Sequence, residues 1–554
     1  MRIRAAVATV ALSFLASAAV GQTQTIDLGQ NWSPEQKEQF WFTSQGSQLL
    51  PYDWFLHLKQ ASSDQLFRAD ENLLRLGYVP TKKSTPILNP GALPIGFAQD
   101  VDRDGKTYVG FTCAACHTAE LIIDKTPVTV EGAPALSDFW QFLSDLVAAL
   151  DDTATTTTKF KDFANAVLPS SHTQQQEDEL KIDLNKKRDK LRQRWLSMPP
   201  QTNYGPARLD AFGGLYNQVV AYALGVPTNA RVADAPASYP FLWDTHQHRK
   251  VQWNGSADNR LPFGLGYAFR NIGEALGVFG VVHIVPQDGI PKYESSIRVD
   301  QQNELEDLLR LLRSPVWPKN LPAPDPASAR IGEKIYKDTC RHCHQILAHP
   351  GDPDRKVHEK MVKVEKVGTD KKFAENYEER FAEMNADTGG LEGHPKLLGS
   401  LSKKFGPKAN GADIFANAVF GTWAGSFRAS GREMETDEKT ESQAIRRFSA
   451  TAQKKLGKYK ARPLNGIWAT APYLHNGSVP NISELLKPPP ERMKKFWIGS
   501  HDFDPDNLGL SVAQTINGFE FDTLQPGNTN VGHPYGTTLT DDQKKALIAF
   551  LKTL

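Results

Sequence analysis

The sequence predicts a mainly α chain built from two units, with long loops, few short strands and one large insertion between its two chemical motifs. Three observations lead there. The 554 residues exceed the ~150 of a typical domain several-fold, so more than one core is needed. The four cysteines fall into two copies of one pattern, Cys113-Ala-Ala-Cys116-His117 and Cys340-Arg-His-Cys343-His344, which leaves none for a disulfide. The clearest periodic segments are amphipathic helices. With 40% hydrophobic and 23% charged residues the chain is globular rather than disordered. Its 64 basic and 63 acidic side chains leave a net charge of +1, which removes the electrostatic case for nucleic acid as a partner.

Met1-Arg2-Ile3-Arg4 supplies a positive start, Ala5 to Val20 an apolar stretch, and Ala19-Val20-Gly21 small residues where a signal peptidase reads. This predicts a signal peptide over 1–21 and a periplasmic or secreted chain. The apolar stretch is short of the ~20 residues of a spanning helix and no later run reaches ~18, so no retained membrane span is expected. Leu66, Leu73 and Leu76 predict a helix over Asp64 to Leu76, and Pro80 to Pro94 a proline-rich loop. Asp100 to Gly105 begins like a calcium loop, but Phe111 stands where the closing Glu belongs, so a polar turn is expected. Phe139, Phe142, Leu143 and Leu146 give Ala135 to Leu150 one apolar face. Glu177 to Trp195, dense in both charges, reads as a solvated helix.

Between Pro236 and Pro286 the composition turns aromatic and glycine-rich. Ordinary core and an apolar pocket over the first motif are both open readings of it, and His246 and His248 are the nearest candidates there for a distal ligand or acid/base. Pro315 to Pro326 reads as a linker, and the charge-rich Arg355 to Glu383 as a surface excursion. These divide the chain into 22–320 and 321–554. Ala329 to Tyr336 is a short amphipathic helix leading into Cys340. Thr540 to Gln543 forms a capping box ahead of Leu547, Phe550, Leu551 and Leu554, so an apolar-faced helix closes the chain.

In CxxCH, two thiols one helical turn apart add to the two vinyl groups of a haem, and the adjacent imidazole becomes the proximal iron ligand. A four-ligand zinc site would need a second close pair. A thioredoxin-like CxxC has no reason to carry histidine after both copies. Two covalent c-type haems are therefore expected, on Cys113, Cys116 and His117 and on Cys340, Cys343 and His344, in two cytochrome c-like haem domains. For the sixth ligand of the second haem the favoured residue is His533, in the loop before the last helix, followed by His475 and then His501. His349 and His358 read as surface histidines.

Three further segments carry a resemblance: Tyr108 to Thr112 before CAACHT, Trp253-Asn254-Gly255 with Arg270 to Gly280 (RNIGEALGVFG), and Arg462 to Tyr473 with its LHNGS continuation. On these the chain resembles the di-haem c-type cytochromes of the bacterial cytochrome c peroxidase/MauG superfamily, most closely the RoxA/RoxB type of rubber oxygenases and related di-haem fatty-acid dioxygenases. The resemblance implies that the N-terminal haem is the centre where O2 or H2O2 binds and that the C-terminal haem is coordinated on both sides for electron transfer. It implies an apolar pocket in which Trp253 and Phe269 line the active haem. The function it implies is oxidative attack on a C=C bond of an apolar unsaturated substrate, such as polyisoprene or an unsaturated fatty acid. A peroxide-reducing di-haem peroxidase fed by a periplasmic electron donor is the alternative, with Glu274, His246 or His248 as its acid/base. A plain electron-transfer cytochrome is the third. The residues between His117 and Pro315, far more than a minimal cytochrome unit of about 100 residues needs, favour an enzyme.

Overall fold

The computed structural model describes residues 26–81, 85–196, 199–261, 265–287, 291–348, 355–375, 381–384, 391–392, 405–430 and 457–554. The predicted signal segment, Phe263, His349 and His394 lie outside them. The chain is mixed, 40% helical and 16% strand, with no barrel among the described residues, so the mainly α expectation holds only in part. Strand content comes from short antiparallel pairs, and these frame the first motif.

The N-terminal part is organised by two hairpins. Strand β1 (Leu50–Pro51) pairs with β3 (Thr107–Phe111), which pairs with β2 (Phe97–Val101). In the β2–β3 turn Asp102 accepts the amides of Asp104 and Lys106, each at 2.9 Å, so the expected polar turn is a hairpin tip. Strands β4 (Thr118–Ile123) and β5 (Thr126–Glu131) meet at Asp124 and Lys125, both with positive φ, as a tight two-residue hairpin requires. The motif helix (Ala114–His117) sits between β3 and β4, and so is held from both ends.

Helix α1 (Pro34–Phe42) begins with a Ser33/Gln36 capping box. Helix α2 (Phe139–Thr155) buries Phe142, Leu143 and Leu146 as its period predicts. Only Asp70–Arg75 of the helix predicted over 64–76 forms. Helix α3 (Gln174–Leu191) buries Leu180, Leu184 and Leu191 and exposes most of its charges, except that burial pushes Lys187 down to about 7. Helix α4 (Leu265–Gly277) comes from the aromatic, glycine-rich stretch and packs on α5 (Val299–Leu311) and α7 (Gly411–Ala429).

In the C-terminal part α6 (Pro326–Thr339) leads into Cys340 and crosses α8 (Asp541–Leu551), capped by Thr540 and Gln543. The two helices approach at Gly332, where an added Cβ would lie 1.9 Å from the Ala546 carbonyl oxygen. Tyr336 and Phe550 close the contact edge to face, with centroids 5.2 Å apart. The charge-rich segment after Arg355 is no mere excursion. Its strand β6 (Lys360–Lys363) pairs with β7 (Lys458–Ala461), and Val357, Val362 and Phe373 are buried. The linker is also tied down, since Val316 donates its amide to the Leu28 carbonyl and the Trp468 indole donates to the Pro315 carbonyl. One hydrophobic cluster accordingly joins Leu121, Val130 and Trp243 to Ile467, Trp468, Leu547 and Leu551.

Candidate haem sites

Both cysteine motifs adopt the same single turn. In the first, the amides of Cys116 and His117 donate to the Cys113 carbonyl at 3.2 and 3.0 Å; in the second, those of Cys343 and His344 donate to the Cys340 carbonyl at 3.0 and 2.9 Å. In the second, both thiols and the imidazole line one cavity. All four cysteines are free of disulfides. Burial pushes the Cys113 thiol up to about 11 and the Cys116 thiol up to about 12, so neither is the exposed, acidified thiolate of a redox CxxC.

The second motif opens on a cavity of about 300 Å³ lined by Cys340, Cys343, His344, His533, Ile467, Tyr473, Leu547 and Leu551, among others. His344 Nδ1 lies 2.7 Å from the Arg462 carbonyl oxygen, which leaves Nε2 for a metal. The Tyr336 hydroxyl donates to the His344 carbonyl at 2.8 Å. Across from His344 stands His533, with ring centroids 6.2 Å apart. A metal bound at about 2 Å by one nitrogen of each ring spans a centroid separation of roughly 6 Å, so these residues fit an iron held between two imidazoles. Burial, with His344 and Arg492 adding to it, lowers His533 to about 3, so the ring is neutral. The His533 backbone is pinned by its own amide to the Val367 carbonyl at 2.7 Å and by Arg492, which donates to the carbonyls of Asn530, Gly532 and His533.

His475 lines the same cavity but does not face His344. It stacks on Tyr459 with centroids 3.9 Å apart, and its carbonyl accepts the Ser238 amide. His501 is tied elsewhere, its Nδ1 2.8 Å from the Glu120 carbonyl oxygen beside β4. His358 is exposed, as expected.

The first motif is packed from below by Gly96, whose positive φ and close approach exclude a side chain: a Cβ there would lie 2.2 Å from the Ala115 nitrogen. His117 is lowered to about 4 by burial, opposed by the Pro240 carbonyl, with the Arg270 and Arg462 charges adding to the fall. Its ring lies 6.2 Å from that of Tyr239. Cys113 Sγ is 3.4 Å from Gln45 Oε1, while Gln45 Nε2 is buried with no partner among the described residues. An orphaned polar atom of this kind costs about 1–3 kcal/mol, and together with the two thiols it fits a haem laid against this turn. Helix α4 turns Arg270 and Glu274, one turn apart, toward the motif, where both charges act on Cys113. Burial raises the Glu274 carboxyl against Arg270, and Gln252 Nε2 donates to it at 2.7 Å. Arg270 itself is ion-paired with buried Glu306.

Comparison with known proteins agrees with this geometry. A family model described as "RoxA-like, cytochrome c-like" matches residues 457–498. The uncharacterized protein y4iJ of Sinorhizobium fredii (strain NBRC 101917 / NGR234) is 32% identical over 95% of this chain and 93% of its own length. The chain belongs to the family of y4iJ. The uncharacterized protein y4iM of the same organism is 24% identical over 64% of this chain and 73% of its own length. The RoxA-like match supports a RoxA-related cytochrome c family, and a cytochrome c-like domain implies covalently bound haem c.

The RoxA-like segment contains β7, Arg462 and His475, and so builds one wall of the second cavity. The structure turns one of the pocket candidates away from the first motif and sets another in the second cavity. Phe269 lies on the opposite face of α4 from Glu274 and packs edge-on against Phe420 and Trp423, because α7 covers that face. Trp253 lines the second cavity and donates from its indole to the Ser238 carbonyl at 2.7 Å. His246 and His248 lie in and just after a short turn, each with an unpartnered buried Nδ1 among the described residues. Lys460 and Arg462 are the cations that act on His248. Sequence reasoning missed Gln45, Gln252 and Arg462. Only the last stood in a quoted segment, and nothing in its spacing marked it.

Proposed function

We propose that the chain is an exported di-haem c-type cytochrome that acts as an oxygenase on an apolar unsaturated substrate. Cys113, Cys116 and His117 hold the first haem, and Cys340, Cys343, His344 and His533 hold the second. When bound, the first haem supplies the centre for O2 and the second supplies electron transfer. The observation that carries the reading is the asymmetry of the two sites. His344 faces a second imidazole at iron-spanning distance. At the first motif, among the described residues, Tyr239 and the Pro240 carbonyl are brought near His117 and Gln45 and Glu274 near Cys113, with Arg270 acting on both, and none of these is a histidine or methionine. One site is closed for electron transfer and the other is open to a ligand. The oxygenase chemistry and the unsaturated substrate rest on the RoxA-like match and on the resemblance. Export rests on the leader pattern; among the described residues no helix is long and apolar enough to cross a membrane.

Glu274 favours a second reading, reduction of H2O2. A carboxyl raised by burial beside the first motif, held by Gln252, is placed to hold and release a proton. The E274Q variant separates the two. If the chain is a peroxidase, peroxide turnover with a reduced donor falls 100-fold or more while haem content stays constant. If it is an oxygenase, O2 uptake with an unsaturated lipid or polyisoprene persists in both proteins and peroxide turnover is negligible in both. No O2 uptake with any alkene by the wild type contradicts the oxygenase reading.

A further inference from the structure

Arg462 touches both haem sites. It is 4% exposed, immediately after β7. Its main-chain carbonyl accepts from His344 Nδ1 at 2.7 Å. Its guanidinium Nη2 donates to the Phe241 carbonyl at 2.7 Å, and the guanidinium carbon lies 3.3 Å from the centre of the Phe241 ring. Phe241 follows Pro240, whose carbonyl lies at the His117 ring, and Tyr239, whose own ring neighbours it. A chain of direct contacts therefore runs from the His344 ring through one residue to the segment that backs the His117 ring.

The charge of Arg462 needs an explanation of its own. Its counter-charge Asp244 is already engaged by Arg355 and Asn465, and Arg462 Nε has no partner among the described residues. Burying a guanidinium with a shared carboxylate carries a desolvation cost that an apolar residue filling the same volume would avoid. A fixed positive charge between two redox sites has one evident electrostatic effect. Reduction adds an electron to each haem, so the charge favours the reduced state of both.

We propose that Arg462 is a positioning residue that couples the two haems: its carbonyl orients His344, its guanidinium fixes segment 239–241 behind His117, and its charge raises both reduction potentials together. This rests on the two-haem reading above. The test is a spectroelectrochemical titration of the full-length di-haem protein, with haem per chain counted beforehand. R462Q is expected to lower both midpoint potentials, and R462K, which keeps the charge but loses the planar fork, to lower them less. R462K is also expected to alter the EPR g-values of the first haem. A shift confined to the second haem, or no shift, with two haems still attached overturns the inference. Should R462Q not accumulate, D244N decides: removal of the counter-charge is expected to raise both potentials, and an unmoved first haem overturns the coupling. One haem per chain in the wild type overturns the two-haem reading itself.

Discussion

Two residues carry the sharpest local consequences. His533 faces His344 with its backbone held by Val367 and Arg492, so H533A removes one imidazole without loosening the loop. The expected result is a folded protein whose second haem changes from low-spin to high-spin in its absorption and EPR spectra, while H475A leaves that haem low-spin. The reverse pattern would assign the ligand to His475. Glu131 is the other. Burial raises its carboxyl to about 7 from an ordinary 4.5, opposed by the Trp41 indole, Lys37 and Thr118. The folded chain holds this proton up to about pH 7, while the unfolded chain releases it near 4.5. Protons are therefore bound in excess by the folded state across that window, and stability falls as pH rises through it. Between pH 4.5 and 7 the wild type is expected to lose up to about 3 kcal/mol relative to E131Q in denaturant unfolding. Parallel curves would show that Glu131 ionises normally. His533 stood out in the sequence because it lies in the loop before the last helix, and the structure sets its ring across from that of His344. Glu131 carried no signal, since burial by distant Trp41 cannot be read from local pattern.

At the scale of elements, the second site depends on one helix crossing. Helix α6 carries Cys340 at its end, and α8 lies against it at Gly332 with no room for a methyl group. G332A is expected to destabilise the chain by about 2–3 kcal/mol, seen as a lower thermal midpoint and looser haem absorbance on heating. An unchanged midpoint would mean the helices separate freely at this point. Both helices were legible from their periods and caps. The strand pairing of β6 with β7 was not, because Lys360 to Lys363 reads as charge and its partner lies about a hundred residues later. The face of α4 was half legible: the stretch was known to be aromatic, but only the position of α7 decides that Phe269 faces core and Glu274 faces the motif.

Across the whole molecule, the two CxxCH turns are not beads on a string. Residues 239–241, Trp253 and Arg462 lie between them, and one hydrophobic cluster takes residues from both halves. The haem motifs were legible at once because the chemistry demands three fixed residue types at fixed spacing. The shared interior was not, because it is made of contacts between residues about 220 apart, such as Arg462 with Phe241. The central claim is that one site is closed and the other open. It is tested most directly by adding carbon monoxide to the dithionite-reduced protein and titrating the spectral change against the haem count. One carbon monoxide per two haems is predicted, with the bound haem unaffected by H533A. No binding, or binding only at the haem that H533A perturbs, would contradict the account.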